Sequence, residues 1–316
     1  MQGGQWKGRR RRKTRFRRFR WERLALAVAC VGMIVFALVE IIGYGKDYFS
    51  ARRTADTLRQ VYQTEPPAPE ITAAPVSPPP ATAVPVLPEA TAAPAVALEP
   101  VPYPDNPSAQ ISKRFKALRK ENKDIVGWLT LGTLLDEAVV QRDEEYYMNH
   151  DALGKKNVNG AIFLDSGISL KTRPYALILY GHNMKTGAMF GCLRNYENLS
   201  YYHSEPFITF DTMYESGRYV IFAVGKVNTM ERVRNYVDLF ALRLLHLQER
   251  QNAIDELIKA SVHSCSVDVR PDDQLLVLVT CVENENERRV GAARRIRDGE
   301  NEAELKKAVE RSWKKP

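Results

Sequence analysis

Cysteine is scarce in this sequence, which has four in 316 residues: Cys30, Cys192, Cys265 and Cys281. Only the last three lie outside an apolar stretch near the N-terminus, and an odd number of cysteines cannot all pair within one chain. Two arrangements stay open. Either Cys192 pairs with Cys265 and leaves Cys281 free, or all three are reduced.

The ligand spacings of zinc sites are also missing. The chain contains neither a CxxC nor an HxxxH pattern, although it has five histidines. Closely spaced Cys and His pairs are the usual sign of a structural or catalytic zinc site. We therefore expect no metal site. His150, His203, His246 and His263 stand in no motif, and we expect them to be surface or structural residues.

Acidic residues are nearly absent from the first 23 positions, which hold 11 Lys and Arg but one Glu. A basic arm that binds nucleic acid is one interpretation of this charge. Residues 24–44 favour another, because they form an almost uninterrupted apolar run of about 20 residues, enough to cross a bilayer. The basic flank then predicts a cytoplasmic N-terminus and an extracellular remainder. A cleaved signal peptide is less favoured, since no small-x-small site follows the run.

Glycine is missing from residues 65–107, which instead hold 14 of the 18 prolines. Such a segment cannot build a core and favours polyproline II. We interpret residues 45–107 as a juxtamembrane segment, helical or irregular at first, followed by a Pro/Ala-rich linker that acts as a stalk. A proline-rich ligand for a recognition module is the alternative, but no basic anchor stands beside it.

The remaining segment, 108–316, carries many short apolar or alternating runs and few long helices. This pattern predicts a β-barrel or sandwich. We expect a first helix capped by Ser108 and a first strand after it, with two later helices at 186–196 and 248–262. The tail 297–316 reads as a charged, solvated helix. Further strands are predicted at 138–141, 161–165, 175–180, 207–211, 219–227, 275–280 and 290–296.

Two strand ends carry the candidate chemistry. Cys281 ends the run LLVLVTC, and His182 follows the run ALILYG. A lone cysteine is usually buried and inert, and a lone histidine is usually structural. A thiol with a guanidinium a few residues later and a histidine elsewhere can, however, form a nucleophile, an oxyanion clamp and an acid–base group. Arg288 and Arg289 are the candidate guanidiniums, and strand alternation lets only one of them face Cys281.

These motifs resemble the sortases, class B most closely. VLVTC followed by Arg is similar to the family's TLxTC strand, and the segment around His182, YGHNM, resembles its YGHN segment. NKDIVGWL at 122–129 and NGAIFLD at 159–165 are similar to other family strings. Three features depart from the family: Val279 two residues before the cysteine, Glu137-Ala138 where a YP pair is common, and a Gly/Ala-rich strand after the arginines.

The resemblance implies a mainly β fold, namely a closed barrel of about eight short strands with an N-terminal helix and a helix inserted before the cysteine strand. It also implies a membrane-anchored cysteine transpeptidase that needs no cofactor. Cys281 is then the nucleophile, His182 the acid and base, and Arg289 the preferred oxyanion arginine. We expect Thr280, Asn183 and Met148 to bind substrate.

Under this resemblance, the partners are secreted proteins with a C-terminal sorting signal and an amine on peptidoglycan or a pilin. Two rival functions stay open. A cysteine peptidase with the same geometry would hydrolyse peptides without transfer, and a non-catalytic wall-binding protein would form no thioester.

Overall fold

The computed structural model describes residues 21–65, 110–143, 145–244, 246–281 and 286–316. The chain divides into two compact units, one ending at Lys46 and the other comprising Asp47–Pro316. The Ser108 cap and most of the proline-rich linker lie outside the described residues. The helices, in chain order, are α1 (Trp21–Thr64), α2 (Lys113–Glu121), α3 (Leu199–Ser204), α4 (Leu247–Ala260) and α5 (Glu302–Glu310).

Eight strands close into a barrel in the order β1-β2-β3-β4-β7-β8-β6-β5. Two neighbouring pairs are parallel, β2 with β3 and β4 with β7, and the other pairs are antiparallel. The closed barrel with an N-terminal helix and with α4 inserted before the cysteine strand confirms the predicted fold. The strands are β1 (Ile125–Leu131), β2 (Leu135–Val140), β3 (Ile162–Leu164), β4 (Ala176–Gly181), β5 (Phe207–Thr212), β6 (Arg218–Asn228), β7 (Leu275–Cys281) and β8 (Glu287–Arg295).

The core of the barrel consists mainly of aliphatic side chains, which is why the strands read as apolar runs in the sequence. β4 and β7 are buried along almost their whole length, as expected for neighbouring parallel strands covered on both faces. Their parallel register runs from Ala176 opposite Leu275 to Gly181 opposite Thr280. The C-terminal ends of both strands therefore lie side by side.

The second half of α1, from Asp47 onward, packs on the barrel. Leu58 is 1% exposed, and the ring of Tyr62 stacks on Trp128 with 4.3 Å between centroids. Thr54 donates a buried hydrogen bond of 2.8 Å to Asp151. The chain thus contacts the barrel before it enters the proline-rich segment. It returns at α2, where Arg114 Nε donates to the backbone oxygen of Glu65 at 3.0 Å.

Three local predictions need correction. The cap of α2 is Ser112, whose side chain accepts a hydrogen bond from the Phe115 amide. The helix predicted at 186–196 is a 3-10 helix at Phe190–Glu197. It starts late because Gly187 and Met189 both have positive φ, at 85° and 48°, which helical backbone cannot accommodate.

The tail is not a solvated helix. α5 buries Leu305, Ala308 and Val309, which recur at i, i+3 and i+4 and so share one face of the helix. Just before α5, the buried Arg294 forms two hydrogen bonds with the carboxylate of Glu300, at 2.6 and 2.7 Å. The many charged residues of the tail suggested a solvated helix. The apolar side chains of Leu305, Ala308 and Val309 nevertheless pack against the rest of the chain.

Candidate active site

The ends of three neighbouring strands bring the predicted site residues together. Gly181 of β4 lies opposite Thr280 of β7, and each is followed directly by a candidate, His182 and Cys281. Across the β7–β8 pairing, Cys281 lies opposite Arg288. Neighbouring strands are about 4.8 Å apart, so His182, the Cys281 backbone and Arg288 form one row across the sheet.

Arg289 belongs to the preceding row, because it pairs with Thr280. Its side chain is 8% exposed, and its Nη1 contacts the Oε1 atom of Glu197. Burial and the nearby Arg194 lower the pKa of the Arg289 guanidinium. Its Nε atom has no hydrogen-bond partner among the residues that the structure describes. Arg289 is therefore a buried cation whose Nε–H group has no hydrogen-bond acceptor among the described residues.

His182 is half-buried, and burial lowers the pKa of its imidazole. A hydrogen bond with the backbone of Met148 opposes that shift. The turn that holds Met148 lies close to Gly160, where an added Cβ would stand 2.6 Å from the Tyr147 oxygen and 3.0 Å from the Met148 oxygen. Glycine at 160 thus permits the contact that orients the histidine.

The three predicted substrate-binding residues have different environments. Met148 is 42% exposed beside His182, so a substrate can reach it. Asn183 is half-buried, and its Oδ1 accepts a hydrogen bond of 3.2 Å from Arg194. Thr280 is 2% exposed in the row of Arg289. Its hydroxyl is therefore shielded from solvent.

The 3-10 helix Phe190–Glu197 contributes residues that the sequence analysis missed. It lies over the end of β4 and the middle of β8, since an added Cβ at Gly181 would stand 3.0 Å from the Phe190 ring and one at Gly291 would stand 3.4 Å from Leu193. The helix places Arg194 beside Asn183 and Glu197 beside Arg289. No motif marked either residue, because their role depends on how this helix packs.

Comparison with known proteins decides the family. Sortase B of Staphylococcus aureus is 33% identical over 173 residues, which cover 54% of this chain and 68% of that protein. The chain belongs to the class B sortases. Sortase B of Listeria monocytogenes is 28% identical over 180 residues, covering 56% of this chain and 70% of the relative. No protein-family model matches the chain.

A solved structure of an S. aureus sortase B–substrate complex resembles the fold of this sortase. Its TM-score is 0.52 at 31% identity, and the match covers 60% of this chain and 87% of the other. The closed barrel described above is thus the sortase B fold.

The other cysteines of this sortase are unpaired. Cys30 is exposed on α1, Cys192 is buried and Cys265 is half-buried, and all three are free thiols. Burial raises the pKa of Cys192 to about 12 and also raises that of Cys265. Since the thiolate is the reactive form, neither of these two suits a nucleophile.

Among the described residues, no group of three or more His, Cys, Asp or Glu side chains could hold a metal ion.

The N-terminal helix of this sortase contains a stretch long and apolar enough to cross a membrane. The side chains of this stretch are exposed from Ala25 to Tyr44, as expected for a helix that faces lipid. Length and composition support a membrane anchor.

Proposed function

We propose that this sortase is a cysteine transpeptidase that cleaves a C-terminal sorting signal after threonine and transfers the protein to an amine. The observation that carries the proposal is the position of His182 and Cys281 at adjacent strand ends, with Arg288 and Arg289 on the next strand. Family membership supports the reaction class. These three neighbouring strands offer a nucleophile, an acid–base group and two candidate cations.

In the proposed reaction, the Cys281 sulfur attacks the carbonyl carbon of the threonine, and the carbonyl oxygen becomes an oxyanion. When the intermediate collapses, the C–N bond breaks and His182 gives a proton to the leaving amine. The product is a thioester. An incoming amine then attacks that carbon, loses its proton to His182, and the C–S bond breaks to regenerate the thiolate.

We propose Arg289 as the group that stabilises the oxyanion. A buried guanidinium whose Nε has no hydrogen-bond partner among the described residues is suited to accept an anion in a site of low polarity. Glu197 would hold that guanidinium in place before the substrate arrives. Arg288 is the second candidate, because it lies opposite Cys281 in the strand register.

The proposed partners are secreted proteins with a sorting signal and an amine on peptidoglycan or a pilin. We place the N-terminus in the cytoplasm and the barrel outside. The 11 basic residues that precede the apolar stretch support this orientation, because positively charged flanks stay on the cytoplasmic side. Protease added to intact protoplasts should remove the barrel, and full protection of the barrel would contradict the orientation.

The experiment that tests the chemistry is mass spectrometry of the full chain in detergent after incubation with LPxTG-like and NPxTN-like peptides. We expect a covalent adduct on Cys281 in the parent and none in Cys281→Ala. Cys265→Ala is the matched control, which should still form the adduct. An adduct in Cys281→Ala would overturn the assignment of the nucleophile.

Addition of triglycine separates the rival functions. A transpeptidase yields a peptide ligated to triglycine, whereas a cysteine hydrolase releases only the free acid. A non-catalytic wall-binding protein forms no adduct with any sorting peptide, and loss of Cys281 would not alter its behaviour.

A further inference from the structure

The 3-10 helix Phe190–Glu197 has two rows of side chains with different surroundings. A 3-10 helix makes one turn in three residues, so side chains three positions apart lie in line along it. One such row is buried and consists of Phe190, Leu193 and Tyr196. The next row, called the 191–194–197 row below, consists of Gly191, Arg194 and Glu197. Its members contact residues beside the candidate catalytic groups.

Gly191 brings the helix backbone directly onto the loop that follows His182. A Cβ added at Gly191 would overlap the Met184 oxygen and would stand 3.0 Å from the Met184 nitrogen. Met184 is the second residue after His182. Any larger residue at 191 would therefore push the helix away from the loop, and only glycine allows the contact that is seen.

Arg194 binds the same loop by two hydrogen bonds. Its Nη2 atom donates to Asn183 Oδ1 and to the backbone oxygen of Met184, each at 3.2 Å. Asn183 is also tied to the far end of the loop by a β-bridge with Met189. Since Asn183 and Met184 directly follow His182, both hydrogen bonds restrain the backbone that carries the imidazole.

Glu197 binds on the other side of the cysteine strand. Its Oε1 atom contacts Nη1 of Arg289 on β8. In the barrel, β7 lies between β4, which leads to His182, and β8. The positive charge of Arg194 is close enough to lower the pKa of the Arg289 guanidinium, and burial acts in the same direction. The carboxylate of Glu197 opposes the repulsion between these two cations.

The helix that carries the 191–194–197 row is firmly packed. Leu193 lies over β8, 3.4 Å from where a Cβ of Gly291 would stand. The buried His263 donates from its Nε2 atom to the Tyr196 oxygen at 2.8 Å. Charged groups that are attached to a packed element hold their partners more accurately than groups on a loop do.

We propose that Arg194 and Glu197 are positioning residues, which hold His182 and Arg289 on the two sides of the cysteine strand by attaching both to one 3-10 helix. This role rests on the proposed transpeptidase function. Misplacement of a reacting group by about 1 Å can lower a rate by about 10²-fold, so restraint of this kind affects turnover.

The first test is the kinetics of the full chain in detergent with one sorting peptide and triglycine. We expect Arg194→Ala to lower kcat about tenfold and to change KM by less than about twofold, because the residue acts on catalytic groups. Arg194→Lys should recover part of the loss, since an ammonium lacks the fork of donors. Lys185→Ala is the matched control. It removes an exposed cation of the same loop and should change neither constant.

Glu197→Gln tests the other end of the row. It keeps the size of the side chain and removes the charge that faces Arg289, so we expect kcat to fall about tenfold with KM nearly unchanged. Glu249→Gln, at an exposed glutamate in the first turn of α4, is the matched control and should have no effect.

A double variant shows whether Arg194 acts through the loop after His182. Asn183→Ala removes one of the two acceptors of Arg194. If the two residues act together, the rate of the double variant should fall by less than the product of the two single losses. Losses that multiply fully would show that Arg194 does not act through Asn183 and would overturn this part of the proposal.

A second readout does not depend on the transfer reaction. The rate at which iodoacetamide alkylates Cys281, followed by mass spectrometry over a range of pH, reports the thiolate fraction. A poorly placed imidazole and guanidinium stabilise the thiolate less, so the midpoint of alkylation should rise by about one pH unit in Arg194→Ala. It should stay unchanged in Lys185→Ala. Thermal unfolding of each variant shows whether a change merely reflects lost stability.

Three results would overturn the proposal: parent-like kcat in Arg194→Ala, a rise in KM alone, or an equal loss in Lys185→Ala. Failure of the transpeptidase function would appear differently, as the absence of a ligated product in the parent. The alkylation profiles would then decide the proposal. A midpoint shifted in Arg194→Ala would support positioning of the groups around Cys281, and identical profiles would exclude it.

Discussion

Arg288 lies directly opposite Cys281 in the antiparallel pairing of β7 with β8, whereas Arg289 pairs with Thr280. A guanidinium donates through a fixed fork that lysine does not reproduce. If Arg289 stabilises the oxyanion, Arg289→Lys should therefore cost about 2.7–4 kcal/mol of transition-state stabilisation, and Arg288→Lys should be nearly silent.

The measurement is kcat/KM of both variants on one sorting peptide, with folding checked by circular dichroism. A larger loss in Arg288→Lys would assign the oxyanion to Arg288, as the strand register alone suggests.

Protonation of His182 should make both the activity and the stability of this sortase depend on pH. His182→Asn should lower turnover by about 10²–10⁴, the usual contribution of general acid–base catalysis. Because burial lowers the pKa of this histidine, the folded chain binds the proton less readily than the unfolded chain. Its contribution to stability is complete above about pH 6.5 and is lost as the pH falls through the folded pKa.

The free energy of unfolding should therefore fall more steeply between pH 7 and pH 5 in the parent than in His182→Asn. Denaturant titrations at each pH measure this difference. Identical pH dependence in the two proteins would show that the imidazole is not desolvated.

The second half of α1 should stabilise the barrel. Leu58 is fully buried there, so Leu58→Ala should lower the free energy of unfolding by about 2–5 kcal/mol. Leu244→Ala, at a leucine that is 43% exposed, is the matched control and should change it by about 0.5 kcal/mol or less. Tryptophan fluorescence follows both transitions, because Trp128 packs against this helix. Equal effects of the two variants would mean that the helix does not pack there.

Glu300 should be required for the packing of the tail. Arg294 is 1% exposed, and Glu300→Ala would leave its buried charge without its bidentate partner. Removing one partner of a buried pair costs about 3–5 kcal/mol. Glu302→Ala, which removes a half-exposed partner of Arg218, should cost about 1 kcal/mol or less. Thermal unfolding distinguishes the two, and a silent Glu300→Ala would imply that another acidic group compensates.

The sequence was sufficient for the barrel because its strands are short apolar or alternating runs, and burial on both faces of β4 and β7 makes that signal strong. It also placed Cys281 and His182 at strand ends, because each stands at the end of such a run, while their catalytic roles stay predictions. The sequence did not predict that the helix expected from residue 186 begins only at Phe190. The reason is the positive φ at Met189, which the presence of a methionine does not indicate.

The parts of the site that come from packing could not be predicted. Glu197 reaches Arg289 only because a 3-10 helix lies over the end of β4 and the middle of β8. A cavity between α1, the turn from β1 to β2, and Met189 has walls from residues more than a hundred positions apart in the sequence. No local pattern contains such information.

The hydrogen bond between Arg114 and Glu65 has a consequence for how this chain can vary. Residues on both sides of the proline-rich segment pack on the barrel, so this segment connects two points that are already attached. The closure entropy of a flexible loop grows slowly, by about 0.6 kcal/mol for each doubling of length. Insertions and deletions between residues 66 and 109 should therefore be nearly neutral for the end of the barrel that carries His182 and Cys281, which makes this segment a natural place to graft a tag or a second domain.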